Sequence, residues 1–160
     1  MAANDGIRVG LFFGTTSGVI TTCGLLVGLA SGTGSLAAVL GGILVIAVAD
    51  SMSDALGIHL SEESAEGSTT AHVWTATLAT FLAKFVVAVS FALPFVAFDL
   101  DAAIKVALAW GAVLLAALSW KLARIQGEHP LPVIGEHLLV ATVVVLLSHG
   151  VGIWVNTNLQ

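Results

Sequence analysis

Five long apolar runs, separated by short polar segments, constrain this chain more than any other feature of its sequence. Each run reaches the roughly 20 residues that a helix needs to cross a bilayer. The runs are continuously apolar rather than alternating, which favours helices over transmembrane strands. Only 9% of the residues are charged, against about 25% in soluble domains. The sequence therefore predicts an all-α, multi-pass integral membrane protein.

The predicted transmembrane helices lie at about 9–30, 36–60, 72–98, 102–124 and 131–155. Polar segments such as SEESAEGSTT and IQGEHPLP separate them and are rich in turn-forming residues. No polar stretch is long enough for a separate cytoplasmic metal-binding domain. We therefore expect a single five-helix transmembrane domain over residues 1–160, with the lipid bilayer as its main partner and no binding of nucleic acid.

The basic residues predict the orientation of the chain. Cytoplasmic loops of membrane proteins carry an excess of Lys and Arg. With the N-terminus inside, Arg8, Lys121 and Arg124 are cytoplasmic and Lys105 alone is outside. We therefore expect a cytoplasmic N-terminus and a C-terminus outside.

The first apolar run carries two ladders of glycines, each with one glycine every fourth residue. The ladders are Gly10, Gly14 and Gly18, and Gly24, Gly28 and Gly32. This spacing places each ladder on one face of a helix, where missing side chains permit close approach of another helix. We expect one ladder to pack within the protomer and the other across a symmetric dimer. The alternative is the general enrichment of glycine in membrane helices.

The second run carries two aspartates in an otherwise apolar setting. Asp50, Asp54, Gly57 and Ser61 are spaced so that they share one helix face. An ionised aspartate at membrane depth costs at least about 2.5–3.5 kcal/mol on insertion scales. The pair therefore needs a cation, a proton, a basic side chain or water.

Lys84 is the basic side chain best placed to meet this need. Counting along the helices puts Asp50 at a depth of about 16 Å and Lys84 at about 18 Å. The sequence thus predicts an Asp50–Lys84 ion pair, either purely structural or part of a transport site. Asp54 is shallower and has no basic residue at its own depth. We expect it to be the principal cation ligand or proton acceptor, supported by Asp50.

Further candidate ligands lie between the second and third runs and at the start of the fifth. They are His59, Glu62, Glu63, Glu66 and His72, followed by Glu136 near the fifth helix. Carboxylate and imidazole donors together suit iron(II), manganese or zinc. The first group therefore indicates either a vestibule that gathers metal ions or an ordinary solvated loop. Glu136 lies either in the inner cavity or at the level of the lipid headgroups.

Three stretches resemble the vacuolar iron transporter family of proton-coupled iron(II) and manganese exporters. FFGTTSGVITTCGLLVGLASG is similar to the family's first helix, SDALGIHLSEES to its second-helix motif, and ATFLAKFVVAVSFALPFVAF to its third helix with Pro94 at the family's proline. The resemblance covers nearly the whole chain. It implies a homodimer in which the first two helices form the interface and the ion path.

The chain departs from the family's pattern at the positions that carry the chemistry. Ser17 stands where the family has an aspartate, Asp54 where it has a methionine, Ile58 where it has a glutamate, and His59 where it has a tyrosine. The family's glutamate-rich cytoplasmic helices are absent from the sequence. Replacing a thioether by the Asp54 carboxylate makes the site harder, which favours manganese, iron(II), magnesium or protons.

These observations predict a transporter of divalent metal cations, iron(II) or manganese, working by proton-coupled antiport along a dimer interface. The metal is the substrate, and no permanently bound cofactor is expected. Two alternatives stay open: a proton-linked carrier of another small solute, and a non-transporting membrane scaffold with the same fold. An enzyme is not expected, because the sequence offers no second catalytic group facing the aspartates besides Lys84 and distant histidines.

Overall fold

The computed structural model describes residues 3–159, and these form six helices. In chain order they are α1 (Ala3–Thr33), α2 (Leu36–Ser64), α3 (Thr70–Ser90), α4 (Leu93–Ala97), α5 (Leu100–Gln126) and α6 (Pro130–Leu159). Five segments are long and apolar enough to cross a membrane, with α3 and α4 together forming the third, Thr70–Ala97. The prediction of an all-helical bundle with five such helices is confirmed.

The helices begin and end a few residues away from the predicted bounds, because capping residues set their ends. Ser35, Thr69 and Asp99 each accept a backbone N–H hydrogen bond at the start of α2, α3 and α5. Gly127 ends α5 with a φ of 76°, in the left-handed region that glycine adopts at little cost. The third predicted helix is interrupted after Ser90, just before Pro94, which has no N–H to donate.

α1 is the central helix, and its first glycine ladder packs against α3. The two helices run parallel, because Gly10 meets Ala76 and Gly14 meets Thr80. A Cβ atom at Gly10 would lie 2.5 Å from the carbonyl oxygen of Ala76. Only glycine therefore allows this separation between the two backbones.

The second ladder packs against α6, also in parallel. A Cβ at Gly24 would lie 2.9 Å from a methyl carbon of Val144, and one at Gly32 would lie 3.4 Å from the carbonyl oxygen of Gly152. The expectation that one ladder faces a second protomer is therefore wrong, since both ladders are used inside the chain. The sequence could show that glycines share a face, but not which helix covers it.

α2 lies on the outside of the bundle and buries a single narrow stripe. The buried residues include Ala47, Ser51 and Ala55, whose small side chains bring α2 close to its neighbours. The opposite face exposes large apolar side chains such as Leu44, Met52 and Leu56, as expected for a surface in contact with lipid. Asp50 and Asp54 lie beside the buried stripe, at the border between the two faces.

Candidate functional site

Side chains from three helices meet where α1, α2 and α3 come together. Ser17 belongs to α1, Asp50 and Asp54 to α2, and Lys84 to α3. We call these four residues the carboxylate–lysine cluster. Gly18 makes the meeting possible, since a Cβ there would lie 3.4 Å from the Cα of Lys84.

Lys84 occupies the centre of the cluster and is buried. Its side chain is 1% exposed, whereas those of Asp50 and Asp54 are 32% and 21% exposed. Nζ lies 2.5 Å from Oδ2 of Asp50 and 2.5 Å from Oδ2 of Asp54. A single ammonium group thus bridges two carboxylates one helical turn apart.

Asp54 is held more firmly than Asp50. Its Oδ2 accepts hydrogen bonds from Lys84 Nζ and from Ser17 Oγ, the latter at 2.6 Å. Ser17 Oγ in turn accepts a hydrogen bond from Lys84 at 2.9 Å. Asp50 Oδ2 is close enough to Lys84 for an ionic contact, but the direction of approach gives no hydrogen bond, and that buried oxygen has no hydrogen-bond partner.

The cluster carries a formal charge of −1 when all three ionisable groups are charged. Two carboxylates contribute −2 and one ammonium contributes +1. An unbalanced charge within an apolar bundle is unfavourable. The cluster therefore contains one carboxylate charge that no basic group within it balances.

The predicted contact between Asp50 and Lys84 is present, but the view that Asp54 has no basic partner is wrong. The depths predicted from the sequence are those of the backbone positions and do not include the length of the side chains. A lysine stem is long and flexible enough to reach groups a turn away from its own Cα. The shared helix face of Asp50 and Asp54 was the signal that one ammonium group could contact both.

The candidate ligands near the end of α2 form separate pairs. His72 is buried, with Nε2 2.7 Å from Oε2 of Glu62. His59 makes a hydrogen bond between Nδ1 and Thr77 Oγ1 at 3.0 Å, and its Nε2 lies 4.0 Å from Glu63. Glu66 is exposed in the following turn. Among residues 3–159, no three or more His, Cys, Asp or Glu side chains are grouped so that they could hold a metal ion.

A second polar position, away from the cluster, involves His137 rather than Glu136. Ser119 Oγ donates to the carbonyl of Leu115, so it accepts from His137 Nδ1–H at 2.7 Å. The pair borders a cavity of about 250 Å³ that is also lined by Phe12, Phe13 and Thr16. Glu136 itself is exposed. Sequence reasoning missed the role of Ser119, because nothing in the local pattern relates it to a histidine on the next helix.

No protein-family model matches this chain, and no curated protein or solved structure is significantly similar to it. The resemblance to vacuolar iron transporters therefore stays a prediction from sequence motifs.

The cluster offers only hard oxygen donors once the ammonium group is set aside. The carboxylates of Asp50 and Asp54 and the hydroxyl of Ser17 suit small, hard cations and protons. Both carboxylates are partly exposed, while the buried ammonium occupies the inner side of the cluster. The arrangement is suited to exchanging one positive charge for another.

Proposed function

We propose that the protein is a membrane transporter of divalent metal cations, with iron(II) or manganese as substrate and protons as the counter-transported ions. The observation that carries the proposal is the buried Lys84 ammonium between two carboxylates on membrane helices. In this proposal the metal takes the place that the ammonium group holds between Asp50 and Asp54. Ionisable residues inside a membrane protein most often mark a substrate or ion pathway.

The charges support an exchange mechanism. With Lys84 in place, one proton makes the cluster neutral. A divalent cation neutralises the same two carboxylates without the ammonium or the proton. An exchange of two protons for each metal ion is electroneutral and can be driven by a pH gradient.

Access to the cluster is proposed from the end of the bundle that carries His59, Glu62 and Glu63. These residues lie one to three turns beyond Asp54 on α2. Carboxylates at the mouth of a path raise the local concentration of cations. With the N-terminus in the cytoplasm, as the basic residues predict, this mouth is cytoplasmic.

The proposal includes a homodimer, with its interface on α2 instead of the glycine ladders of α1. Ala49, Ser53 and Gly57 form an exposed line of small residues beside Asp50 and Asp54. A Cβ at Gly57 would have nothing within 4 Å. Small residues allow two membrane helices to pack closely. A second copy packed here would enclose the partly exposed carboxylates between two protomers.

Transport is tested in proteoliposomes loaded with acidic buffer, by measuring uptake of Mn²⁺ and Fe²⁺ with and without the pH gradient. Asp54→Asn keeps the shape and removes the charge, so we expect gradient-driven uptake to fall at least tenfold. Asp101→Asn, at an exposed carboxylate in the first turn of α5, is the matched control and should transport normally. Native uptake by Asp54→Asn would place the transport site elsewhere.

A proton-linked carrier of another small solute is the second candidate. It is favoured by the formal charge of −1, which one proton neutralises without any metal. Inert behaviour toward every divalent cation, together with proton flux that depends on Asp54, would support this candidate. If the protein moves neither divalent cations nor protons, the non-transporting membrane scaffold is the remaining alternative.

A further inference from the structure

Two neighbouring cavities lie between α2 and α3, and His59 and Trp74 line both of them. The larger, of about 400 Å³, is otherwise lined mainly by apolar side chains, among them Met52, Leu78 and Phe81. The smaller, of about 140 Å³, lies toward the end of α2 and the start of α3 and has a more polar lining. We call the two cavities together the α2–α3 groove. It is apolar at one end and polar at the other.

The apolar end of the groove faces the surroundings of the bundle. Met52, Leu56, Trp74 and Leu78 are each more than half exposed. This part of the groove follows α2 from Met52 to His59, a rise of about 10 Å. Both helices belong to segments long and apolar enough to cross a membrane. In a bilayer, the apolar end is therefore in contact with lipid acyl chains.

At the polar end, two hydrogen-bond acceptors face each other across a short gap. Thr77 Oγ1 donates to the carbonyl oxygen of Val73 at 2.8 Å, so it accepts from His59 Nδ1–H at 3.0 Å. The neutral imidazole then has no proton on Nε2, and this nitrogen lies 4.0 Å from Oε2 of Glu63. That distance is too long for a hydrogen bond. One ammonium group placed between the two atoms can donate to both at about 2.8 Å.

The lining of the polar end favours a primary ammonium group over other lipid headgroups. Glu63 is the one permanently charged residue among those described that line it, so an anionic headgroup is repelled. A quaternary ammonium has no N–H to donate to the two acceptors. Trp74 supplies an aromatic ring, which attracts cations. Thr69 and Thr70 line the same cavity at the start of α3, where the partial positive charge of the helix end is favourable for a phosphate.

We infer that the α2–α3 groove binds a phospholipid with a primary ammonium headgroup, of the phosphatidylethanolamine class. The ammonium group donates to His59 Nε2 and Glu63 Oε2, and one acyl chain lies against Met52, Leu78 and Phe81. The inference goes beyond the proposed function and does not rest on it, because binding a lipid requires neither a metal nor transport.

The site is tested by thermal unfolding of the purified protein in detergent micelles that contain added lipid. Phosphatidylethanolamine, phosphatidylcholine and phosphatidylglycerol with identical acyl chains differ only in their headgroups. Beyond half occupancy, each tenfold increase in the mole fraction of phosphatidylethanolamine should raise the apparent Tm by about 3–6 °C. The other two lipids should have a smaller effect. An equal response to phosphatidylethanolamine and phosphatidylcholine, or a larger one to phosphatidylglycerol, would overturn the inference.

Two further measurements test whether a lipid is the occupant. Phosphoethanolamine carries the same headgroup without acyl chains, and the same stabilisation by this soluble compound would show that the apolar end takes no part. Leu78→Cys places a thiol at an exposed position of the groove. Efficient crosslinking of this variant between two protomers in native membranes would mean that a second copy covers the groove, which would overturn the assignment to a lipid. Its absence would agree with a bound lipid.

Variants locate the headgroup. Glu63→Gln keeps the shape and removes the charge, so the preference for phosphatidylethanolamine over phosphatidylcholine should fall at least about tenfold. His59→Phe keeps an aromatic ring beside Trp74 and removes the acceptor nitrogen, and it should lower the preference as well. Glu128→Gln, at an exposed carboxylate that lines neither cavity, is the matched control and should keep it. An unchanged preference in Glu63→Gln and His59→Phe would overturn the site. If these variants fail to fold, the comparison of lipids on the unaltered protein still decides.

Discussion

At the scale of single residues, Lys84 is the side chain on which the local arrangement most depends. Its ammonium group is buried and contacts Asp50, Asp54 and Ser17. Lys84→Met keeps the length of the side chain and removes its charge. Two carboxylates then face each other without compensation, and we expect a loss of about 3 kcal/mol in the free energy of unfolding.

The triple variant Lys84→Met with Asp50→Asn and Asp54→Asn should recover part of this stability, because no charge is left unbalanced. Thermal unfolding in detergent measures both variants. If the triple variant is no more stable than Lys84→Met alone, the charges do not interact as described.

The two aspartates should differ in their contribution to stability. Asp54 accepts hydrogen bonds from both Lys84 and Ser17, whereas Asp50 has an ionic contact without a hydrogen bond. Hydrogen bonds to charged groups contribute about 1.5–3 kcal/mol. We therefore expect Asp54→Asn to lower the apparent Tm more than Asp50→Asn does, and equal losses would contradict the assignment of bonds.

Part of this cluster could be predicted from the sequence. Charged residues in apolar runs stand out, so Asp50, Asp54 and Lys84 were identified and Asp50 was paired with Lys84. The second contact of Lys84 depends on the path of a long side chain. That path leaves no trace in sequence spacing, so the contact could be found only from atomic positions.

At the scale of helices, the glycine ladders of α1 determine how closely α3 and α6 approach it. Gly10→Ala would place a Cβ 2.5 Å from the carbonyl oxygen of Ala76, so the backbones would have to separate. We expect a loss of about 1–3 kcal/mol. Gly41→Ala, in α2 with nothing within 4 Å, is the control and should gain up to about 1 kcal/mol from helix propensity.

Thermal unfolding of the two alanine variants against the native protein is the measurement. A Gly10→Ala protein as stable as the native one would mean that α1 and α3 are not in close contact. The positions of the apolar helices were predictable because hydrophobic length is a strong signal. Their partners were not, since a line of small residues looks the same whichever helix covers it.

At the scale of the whole molecule, the proposed dimer can be separated from the stability of the protomer. Gly57 is exposed on α2 and open to solvent or lipid, so Gly57→Leu should leave the protomer folded. We expect it to abolish close packing of two copies along α2. Gly135→Leu, at an equally open glycine of α6, is the control and should remain dimeric.

Crosslinking in native membranes and mass measurement in detergent report the oligomeric state of both variants. A Gly57→Leu protein that is still dimeric would place the interface elsewhere. The five apolar helices of an integral membrane protein were predictable from the length of the apolar runs and the low content of charged residues. The arrangement of two protomers does not follow from contacts within one chain, so it depends on these measurements of oligomeric state.

The parallel contact of α1 with α3 has a mechanical consequence. Glycines recur every fourth residue along this contact, from Gly6 through Gly18, and so do the α3 residues they meet. A slip of α3 along α1 by one turn, about 5.4 Å, would place each glycine opposite the α3 residue that now faces the next glycine of the ladder. Such a slip would carry Lys84 on α3 away from Ser17 on α1 and break the hydrogen bond between them. Spin labels on α1 and α3 would register such a slip as a change of that length.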